Sequence, residues 1–273
     1  MMHTRNNWLV TTLLCAASLT VALPLYLTIT IALKSPEQTA TSALALPLDP
    51  QWDNFSRAIE TTGFFRALLN STIITIAVVV LVVLTNSLVA YAIARNMHRR
   101  LFRGLYYYLI SALFIPFPII MLPVVRQMSM IGLDNQIGLI LLYVVYGLSF
   151  NVFLYTGYLR SIPRELEEAA ALDGTNTWQT FWRVIFPLLT PINATVAVLT
   201  CLTTWNDFLL PLVMLGDRDS FTLPLVQYAF QGQFNTDYNL AFASYLMALA
   251  PMVILYVTAQ RWIISGVMRG AIR

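Results

Sequence analysis

Hydrophobic residues fall in six long, continuous runs along the chain, separated by short polar connections. A helix needs about 20 residues to cross the hydrocarbon core of a bilayer. The runs are long enough for this and do not alternate with polar residues, so they predict helices. The predicted spans are 8–33, 64–94, 105–125, 136–158, 192–215 and 240–264. We therefore predict an all-α integral membrane protein with six transmembrane helices in one domain, residues 1–273.

Basic residues are divided unevenly between the two sets of polar connections. Of the 16 Lys and Arg residues, 11 lie near the two termini and in the connections that follow the second and fourth spans. Cytoplasmic segments carry such an excess of positive charge, so both termini and the connection 161–191 are predicted to be cytoplasmic. The first run is too long for a signal-peptide core, which favours a retained span.

Three prolines interrupt the third span. Pro116, Pro118 and Pro123 lie within ten residues of each other, and proline kinks or breaks a membrane helix. A bend that improves packing and a hinge beside a pathway explain this density equally well.

The connection 161–191 is the longest charged segment in the second half of the chain. Ser161 and Pro163 predict the start of a helix. Three glutamates follow, and their negative charge interacts favourably with the positive N-terminal end of the helix dipole. Gly174 stands where a left-handed C-cap is expected, and a second helix is predicted from about Thr177. Its apolar residues share one face and precede two prolines that end it: Trp178, Phe181, Trp182 and Ile185, then Pro187 and Pro191.

Composition and charge exclude several classes of protein. Residues are 58% hydrophobic and 11% charged, against about 25% charged in soluble domains. The net charge of +3 is too small to suggest nucleic-acid binding. Cys15 and Cys201 lie inside apolar runs, and the two histidines, His3 and His98, lie in basic segments. Neither pattern predicts a metal site, and we find no catalytic motif, so no catalytic residue is predicted.

The fourth and fifth spans carry the polar and aromatic residues best suited to a solute. Asp207 lies about 24 Å along the helix from Pro191, near the outer interface rather than at mid-membrane. No second deep acid pairs with it, which makes a self-contained ion-coupled carrier the weaker hypothesis. The candidate pathway or substrate-lining residues are Asn151, Tyr155, Trp205, Asn206, Asp207 and Phe208.

The connection 161–191 resembles the EAA loop of membrane permease subunits of ABC importers. That pattern is E-A-A, three residues, G, nine residues and I-x-L-P. Glu168-Ala169-Ala170, Gly174 and Val184-Ile185-Phe186-Pro187 match its spacing, with Val184 and Phe186 as conservative departures. The stretch Trp205-Asn206-Asp207-Phe208-Leu209 is similar to the carbohydrate-uptake branch and its MalG-like members.

The resemblance implies a type I ABC importer permease fold with a cytoplasmic coupling helix that seats in a separate ATPase subunit. The implied coupling residues are Glu168, Ala169, Ala170, Asp173, Gly174 and Pro187. ATP and Mg would be bound by the partner ATPase and not by this chain. The implied partners are a second homologous permease subunit, two ATPase subunits, an extracytoplasmic solute-binding protein and the lipid of a bacterial inner membrane.

The expected function is passage of a sugar or oligosaccharide through half of the translocation pathway. An importer for another polar solute, such as a glycerophosphate, is an alternative in the same class. An ion-coupled secondary carrier and a membrane-embedded enzyme are alternatives from other classes.

Overall fold

Helices form all the regular structure in the part of the chain that is described. The computed structural model describes residues 8–230 and 237–271, without the side chains of 9, 229, 259 and 261–271. Arg5 and Arg273, which contribute to the predicted orientation, lie outside these residues. The helices are α1 Trp8–Ala32, α2 Pro36–Thr41, α3 Asp53–Thr62, α4 Phe64–Arg95, α5 Arg100–Ala112, α6 Phe117–Met130, α7 Gln136–Leu159, α8 Glu165–Leu172, α9 Thr177–Thr180, α10 Phe186–Leu188, α11 Thr190–Asn206, α12 Leu209–Met214, α13 Leu223–Gln227 and α14 Tyr238–Ala271. A π-helical turn, Phe181–Ile185, and two 3₁₀ turns, Arg218–Ser220 and Tyr228–Phe230, lie between them.

Four helices are each long and apolar enough to cross a membrane. They are α4, α7, residues Val10–Ala32 of α1 and residues Tyr238–Thr258 of α14. The bounds of α4 and α7 agree with the hydropathy pattern to within one residue. Helix α14 continues to Ala271, beyond the predicted end of the sixth run at residue 264.

The third predicted span, 105–125, is wrong as a single helix. Helix α5 ends at Ala112 and α6 begins at Phe117, with a bend of 107° between them. Pro116 is extended, with ψ of 129°, and Pro118 stands in the first turn of α6. Neither proline has a backbone N–H to continue a helix from α5. The prolines therefore break this segment, while Pro123 lies inside α6.

The fifth predicted span, 192–215, is also interrupted. Asp207 has an extended backbone, with ψ of 129°, so α11 ends at Asn206. Its carboxylate accepts a hydrogen bond from the Leu209 N–H at 3.0 Å and so caps α12. At its other end, α11 follows the helical segment Thr177–Leu188 after a bend of 76°. Within the described residues, the candidate spans thus number four, or up to six if each bent pair is one span.

The chain divides into two compact units, residues 1–65 with 226–251 and residues 66–225 with 252–273. The core of the second unit is built largely from α4 and α7. Both helices bury apolar side chains completely, and α5, α11 and α12 also pack on α7. The fully buried members of these two helices include Val78, Val82, Ala90, Leu139, Val152 and Leu159.

In the first unit, two buried amides close the end of α1. The Asn54 amide donates to the carbonyls of Ala32 and Lys34 at 3.0 and 2.9 Å. The Asn239 amide donates to the carbonyls of Ile31 and Lys34 at 2.9 and 2.8 Å. The last carbonyls of a helix have no partner within the helix. These two side chains supply the missing donors in a place from which water is excluded.

The Lys34 side chain fixes the loop that follows α1. It is 1% exposed, and its ammonium group donates to the carbonyls of Ser42 and Ala43 at 2.9 and 3.1 Å. Burial of a charge is costly unless hydrogen bonds replace water. The two backbone carbonyls therefore replace part of the water around the ammonium group. The same hydrogen bonds hold the loop against the end of α1.

We expect Asn239→Ala to destabilise the protein by about 1–3 kcal/mol, because it removes the buried side-chain donor to the carbonyls of Ile31 and Lys34. Thermal unfolding in detergent measures the loss. Asn96→Ala is the control, since the Asn96 amide bonds only to the Ala92 carbonyl of its own helix turn. An equal fall in both variants would contradict a special role for the buried amide.

Candidate coupling site

The connection 161–191 folds as two short helical pieces joined by a tight turn. Helix α8 begins at Glu165, four residues after the predicted opening at Ser161, and no side chain caps it. Its first turn carries three glutamates, which interact favourably with the helix dipole. Helix α9 begins at Thr177 as predicted. Asn176 and Gln179 form a reciprocal capping box that fixes its start.

The turn after α8 depends on Gly174, which has φ of 84° as the predicted left-handed cap requires. The N–H of Gly174 bonds to the Ala171 carbonyl, and the N–H of Thr175 bonds to the Ala170 carbonyl. This pair of bonds is the Schellman motif. Other L-residues adopt such a φ rarely, so glycine determines where α8 ends and how the chain reverses.

The predicted coupling residues divide into one buried and five exposed positions. Ala170 is buried, so its small side chain lets α8 lie close to the rest of the unit. The exposed positions are Glu168, Ala169, Asp173, Gly174 and Pro187. Four large apolar side chains on the same segment are exposed as well, and the most exposed are Leu172 at 90% and Trp178 at 61%; the others are Leu166 and Leu188. The segment therefore presents a mixed acidic and apolar surface.

Glu167, which the sequence did not single out, connects α8 to the rest of the unit. Its carboxylate forms an ion pair with Arg95, the last residue of α4. It also accepts a hydrogen bond from the Tyr91 hydroxyl at 2.9 Å. The remaining Arg95 donors reach the carbonyls of Leu159 and Ile162, each at 3.2 Å. One guanidinium thus joins the ends of α4 and α7 to the first turn of α8.

Aromatic packing provides a second connection to α4. The buried Phe181 ring lies 5.2 Å from that of Tyr91 and 4.9 Å from that of Trp182, measured between ring centroids. Trp182 in turn packs on Phe186 at 4.9 Å. The connection therefore packs on α4 through Phe181, and Trp182 extends this aromatic packing within the connection. Trp178 touches Trp182 but is mostly exposed.

Two of the candidate pathway residues tie α7 to α11. The Tyr155 hydroxyl donates to the Asn193 side-chain oxygen at 2.8 Å, near the start of α11. The Tyr143 hydroxyl donates to the Asp207 carboxylate at 2.8 Å, just past the end of α11. The two tyrosines are separated by about 18 Å along α7, at 1.5 Å per residue. The hydrogen bonds thus mark two separate points along an antiparallel helix pair.

The other candidate pathway residues differ in their exposure. Trp205 and Asn151 are buried, Phe208 is half-buried and Asn206 is exposed. The Asn206 amide donates at 2.8 Å to the Leu202 carbonyl of its own helix. Their role in a pathway stays a prediction.

Asn86 of α4 is an interior amide that the hydropathy pattern missed. It is 1% exposed, and its amide nitrogen has no hydrogen-bond partner among the described residues. Gly147 of α7 lies beside Asn86 and makes room for Asn151, because a Cβ there would lie only 3.0 Å from the amide nitrogen of Asn151 and at an ordinary contact distance of 3.9 Å from that of Asn86. The recurrence of Asn86 and Asn151 inside apolar runs is the signal that could have identified this pair.

Comparison with known proteins identifies the class. The family described as the binding-protein-dependent transport system inner membrane component matches residues 86–269. This is more than half of the chain, and the chain belongs to that family. It is a membrane permease subunit of the ABC importer class, a transport subunit. The ion-coupled carrier and the membrane-embedded enzyme are the less favoured hypotheses on this ground.

Several relatives align with nearly the whole chain. The multiple sugar-binding transport system permease protein MsmG of Streptococcus mutans is 39% identical, over 96% of this chain and 95% of that protein. The probable starch degradation products transport system permease protein AmyC of Thermoanaerobacterium thermosulfurigenes is 34% identical, over 98% and 97%. The melibiose/raffinose/stachyose import permease protein MelC of Bacillus subtilis is 32% identical, over 99% and 98%.

Solved structures share the fold. A chain from the crystal structure of a bacterial ABC transporter involved in import of the acidic polysaccharide alginate has a TM-score of 0.83 at 22% identity, over 96% of this chain and 99% of that one. A chain from a bacterial alginate ABC transporter in complex with a pentasaccharide-bound periplasmic protein has a TM-score of 0.68 at 18% identity, over 93% of both. The helical architecture is therefore that of ABC transporter permeases.

We expect Arg95→Ala to destabilise the protein by about 3 kcal/mol, because it removes the ion-pair partner of Glu167 and the guanidinium donors to the carbonyls of Leu159 and Ile162. Glu167→Gln keeps a hydrogen-bonding group and should cost about 1 kcal/mol. Thermal unfolding in detergent measures the loss of stability in each variant and so tests this order. Arg99→Ala, at the exposed N-cap of α5, is the control. The interpretation is wrong if Arg95→Ala costs no more than this control.

Proposed function

We propose that this chain forms half of the permease of an ATP-driven, binding-protein-dependent importer for a sugar or an oligosaccharide. The observation that carries the proposal is the similarity over nearly the full chain to MsmG, AmyC and MelC, at 32–39% identity. The names of these three relatives refer to different carbohydrates, so the shared feature is the class of solute and not one sugar.

The connection 161–191 couples this subunit to a separate ATPase. Its exposed face combines the acidic Glu168 and Asp173 with the apolar Leu172 and Trp178, a composition suited to a protein partner. Glu168 forms no ion pair with any described residue, which leaves its carboxylate available for a basic group of the partner. Two such ATPase subunits bind ATP and Mg, and this chain binds neither.

We count the bent pair α5–α6 as the third span and α11 as the membrane part of the fifth, which gives six spans together with α1, α4, α7 and α14. Both termini and the coupling segment then lie on the cytoplasmic side of a bacterial inner membrane, as the distribution of Lys and Arg favours. Residues 1–273 act as one permease domain. A second homologous permease subunit forms the other half of the pathway, and an extracytoplasmic binding protein delivers the solute.

The contacts of Arg95 can transmit movement of the ATPase subunits to the membrane helices. When the ATPase subunits close, they displace α8, which carries Glu167. Because Arg95 bonds to Glu167 and to the carbonyls of Leu159 and Ile162, the ends of α4 and α7 follow α8. The same contact supports transfer of motion in the opposite direction, from solute to ATPase.

Affinity purification of the chain from its native membrane tests the assembly. We expect a second permease and an ATPase to copurify, and we expect carbohydrates with their binding protein to stimulate ATP hydrolysis. If a glycerophosphate stimulates ATP hydrolysis and carbohydrates do not, the transported solute is a glycerophosphate and not a sugar. Recovery of this chain alone, with uptake that survives reconstitution without ATP, would refute the importer.

The coupling role is tested by Glu168→Lys and Gly174→Asp. The first reverses a charge offered to the ATPase, and the second introduces backbone strain of about 1–2 kcal/mol at a left-handed position. We expect both to abolish uptake and solute-stimulated ATP hydrolysis, while capture of solute by the binding protein is unchanged.

Matched controls separate coupling from folding. Glu60→Lys reverses an exposed charge on α3, and Gly63→Asp places the same strain at another left-handed glycine, with φ of 61°. These variants should retain stimulated hydrolysis. Normal uptake in Glu168→Lys, or equal loss in both glycine variants, would count against the coupling role.

A further inference from the structure

A basic pocket opens where α4 and α7 end, beside the turn that leads into α8. Its volume is about 540 Å³. The residues that matter for its chemistry are Arg95, Arg160, Arg164 and Glu165. All four belong to one compact unit, so the pocket is formed within it.

Two of the three arginines have donors to spare. Arg95 is committed to Glu167 and to two backbone carbonyls. The Arg160 guanidinium, in contrast, forms no hydrogen bond or ion pair with any residue in the described ranges. Arg164 makes one long hydrogen bond, at 3.5 Å, to the Arg95 carbonyl. Because a guanidinium presents several N–H groups in a planar fork, this pair suits the oxygens of a phosphate.

The charges in the pocket favour an anion with a single negative charge. Arg95 and Glu167 neutralise each other, which leaves Arg160 and Arg164 against Glu165. The balance is one positive charge, and a phosphodiester carries one negative charge. The ionised Glu165 carboxylate can accept hydrogen bonds but cannot donate them. It therefore favours a phosphodiester whose other end bears hydroxyl groups.

The position of the pocket indicates where such a phosphodiester comes from. Arg95 ends α4 and Leu159 ends α7, and both helices are candidate membrane spans. The headgroup layer of a membrane begins where apolar spans end, and basic pockets between such helices bind lipid headgroups. A pocket at this depth meets lipid phosphate at far higher local concentration than free phosphate.

We infer that this pocket binds the phosphodiester of an anionic lipid headgroup. Arg160 and Arg164 donate to the phosphate oxygens, and Glu165 accepts from the headgroup hydroxyls. The bound lipid neutralises the two guanidiniums next to the Arg95–Glu167 pair. This inference does not depend on which solute the importer carries.

Phosphatidylglycerol is the probe, and native mass spectrometry counts the lipids retained by the full chain after purification in mild detergent. We expect one phosphatidylglycerol per chain, with phosphatidylcholine retained about tenfold less. The double variant Arg160→Gln, Arg164→Gln should weaken retention of phosphatidylglycerol about tenfold, since both phosphate donors are lost. Unchanged retention in this variant would overturn the inference.

Two further variants control for charge and folding. Arg99→Gln with Arg103→Gln removes the same charge from exposed positions outside the pocket, and it should retain phosphatidylglycerol as the unaltered chain does. Arg160→Lys with Arg164→Lys keeps the charge but loses the fork, and its retention should be intermediate. Equal losses in the two glutamine double variants, with no loss in the lysine variant, would mean nonspecific attraction by charge and would refute a built site.

Competition distinguishes the possible sources of the anion. Inorganic phosphate at millimolar concentration should leave the bound phosphatidylglycerol in place. Displacement of the lipid by inorganic phosphate would assign the pocket to a free anion and overturn the lipid assignment. The same measurement on the complex purified with its partners should again find the lipid. A complex without it would show that a side chain of another subunit fills the pocket, which also contradicts the inference.

Discussion

The ion pair between Arg95 and Glu167 is the contact on which the arrangement of the coupling segment depends. The guanidinium satisfies a carboxylate on α8 and two carbonyls at the end of α7, while its own residue ends α4. A lysine could not reproduce these bonds, because an ammonium group lacks the planar fork that reaches three acceptors in different directions. The short helix α8 has only two turns, so this contact and the Phe181 packing hold it, rather than its own helical stability.

Polar side chains at the helix ends and inside the helix pairs follow the same rule. In an apolar environment each buried donor or acceptor needs a partner, and the structure supplies amides and hydroxyls at the places where backbone bonding stops. Asn54 and Asn239 do this for α1, and Asp207 does it for α12. Of these residues only Asp207 is a candidate solute ligand by sequence, and all three satisfy backbone groups at the end of a helix.

Hydropathy predicts the four uninterrupted spans well, because a continuous apolar run in lipid has few alternatives to a helix. It fails at residues 105–125 and 192–215, since it reports side-chain polarity and carries no information on backbone direction. The prolines signalled a break near Pro116, but neither its size nor its direction. At Asp207 the carboxylate was noticed as a possible ligand, although it acts as a helix cap.

The coupling segment could be recognised from local spacing, while its attachment could not. Gly174 and the start of α9 follow from turn and capping chemistry within a few residues. Arg95 and Glu167 are 72 residues apart in the sequence. By sequence, Arg95 contributes only to the excess of positive charge that predicts the orientation in the membrane. Among three neighbouring glutamates on a helix with about 100° between successive residues, only the docking of α8 decides which one turns inward.

The two tyrosine hydrogen bonds between α7 and α11 have a mechanical consequence. Two hydrogen bonds about 18 Å apart along the helix pair restrict sliding and tilting of one helix against the other. We expect the two helices to move as one rigid body, so that a displacement at the Tyr155 end is transmitted to the Tyr143 end. The helical backbone is interrupted at the two ends of this pair, by the extended residue Asp207 and by the 76° bend before α11. Such interruptions remove the regular hydrogen bonds that stiffen a helix, so we expect bending of the subunit there rather than between the two tyrosines.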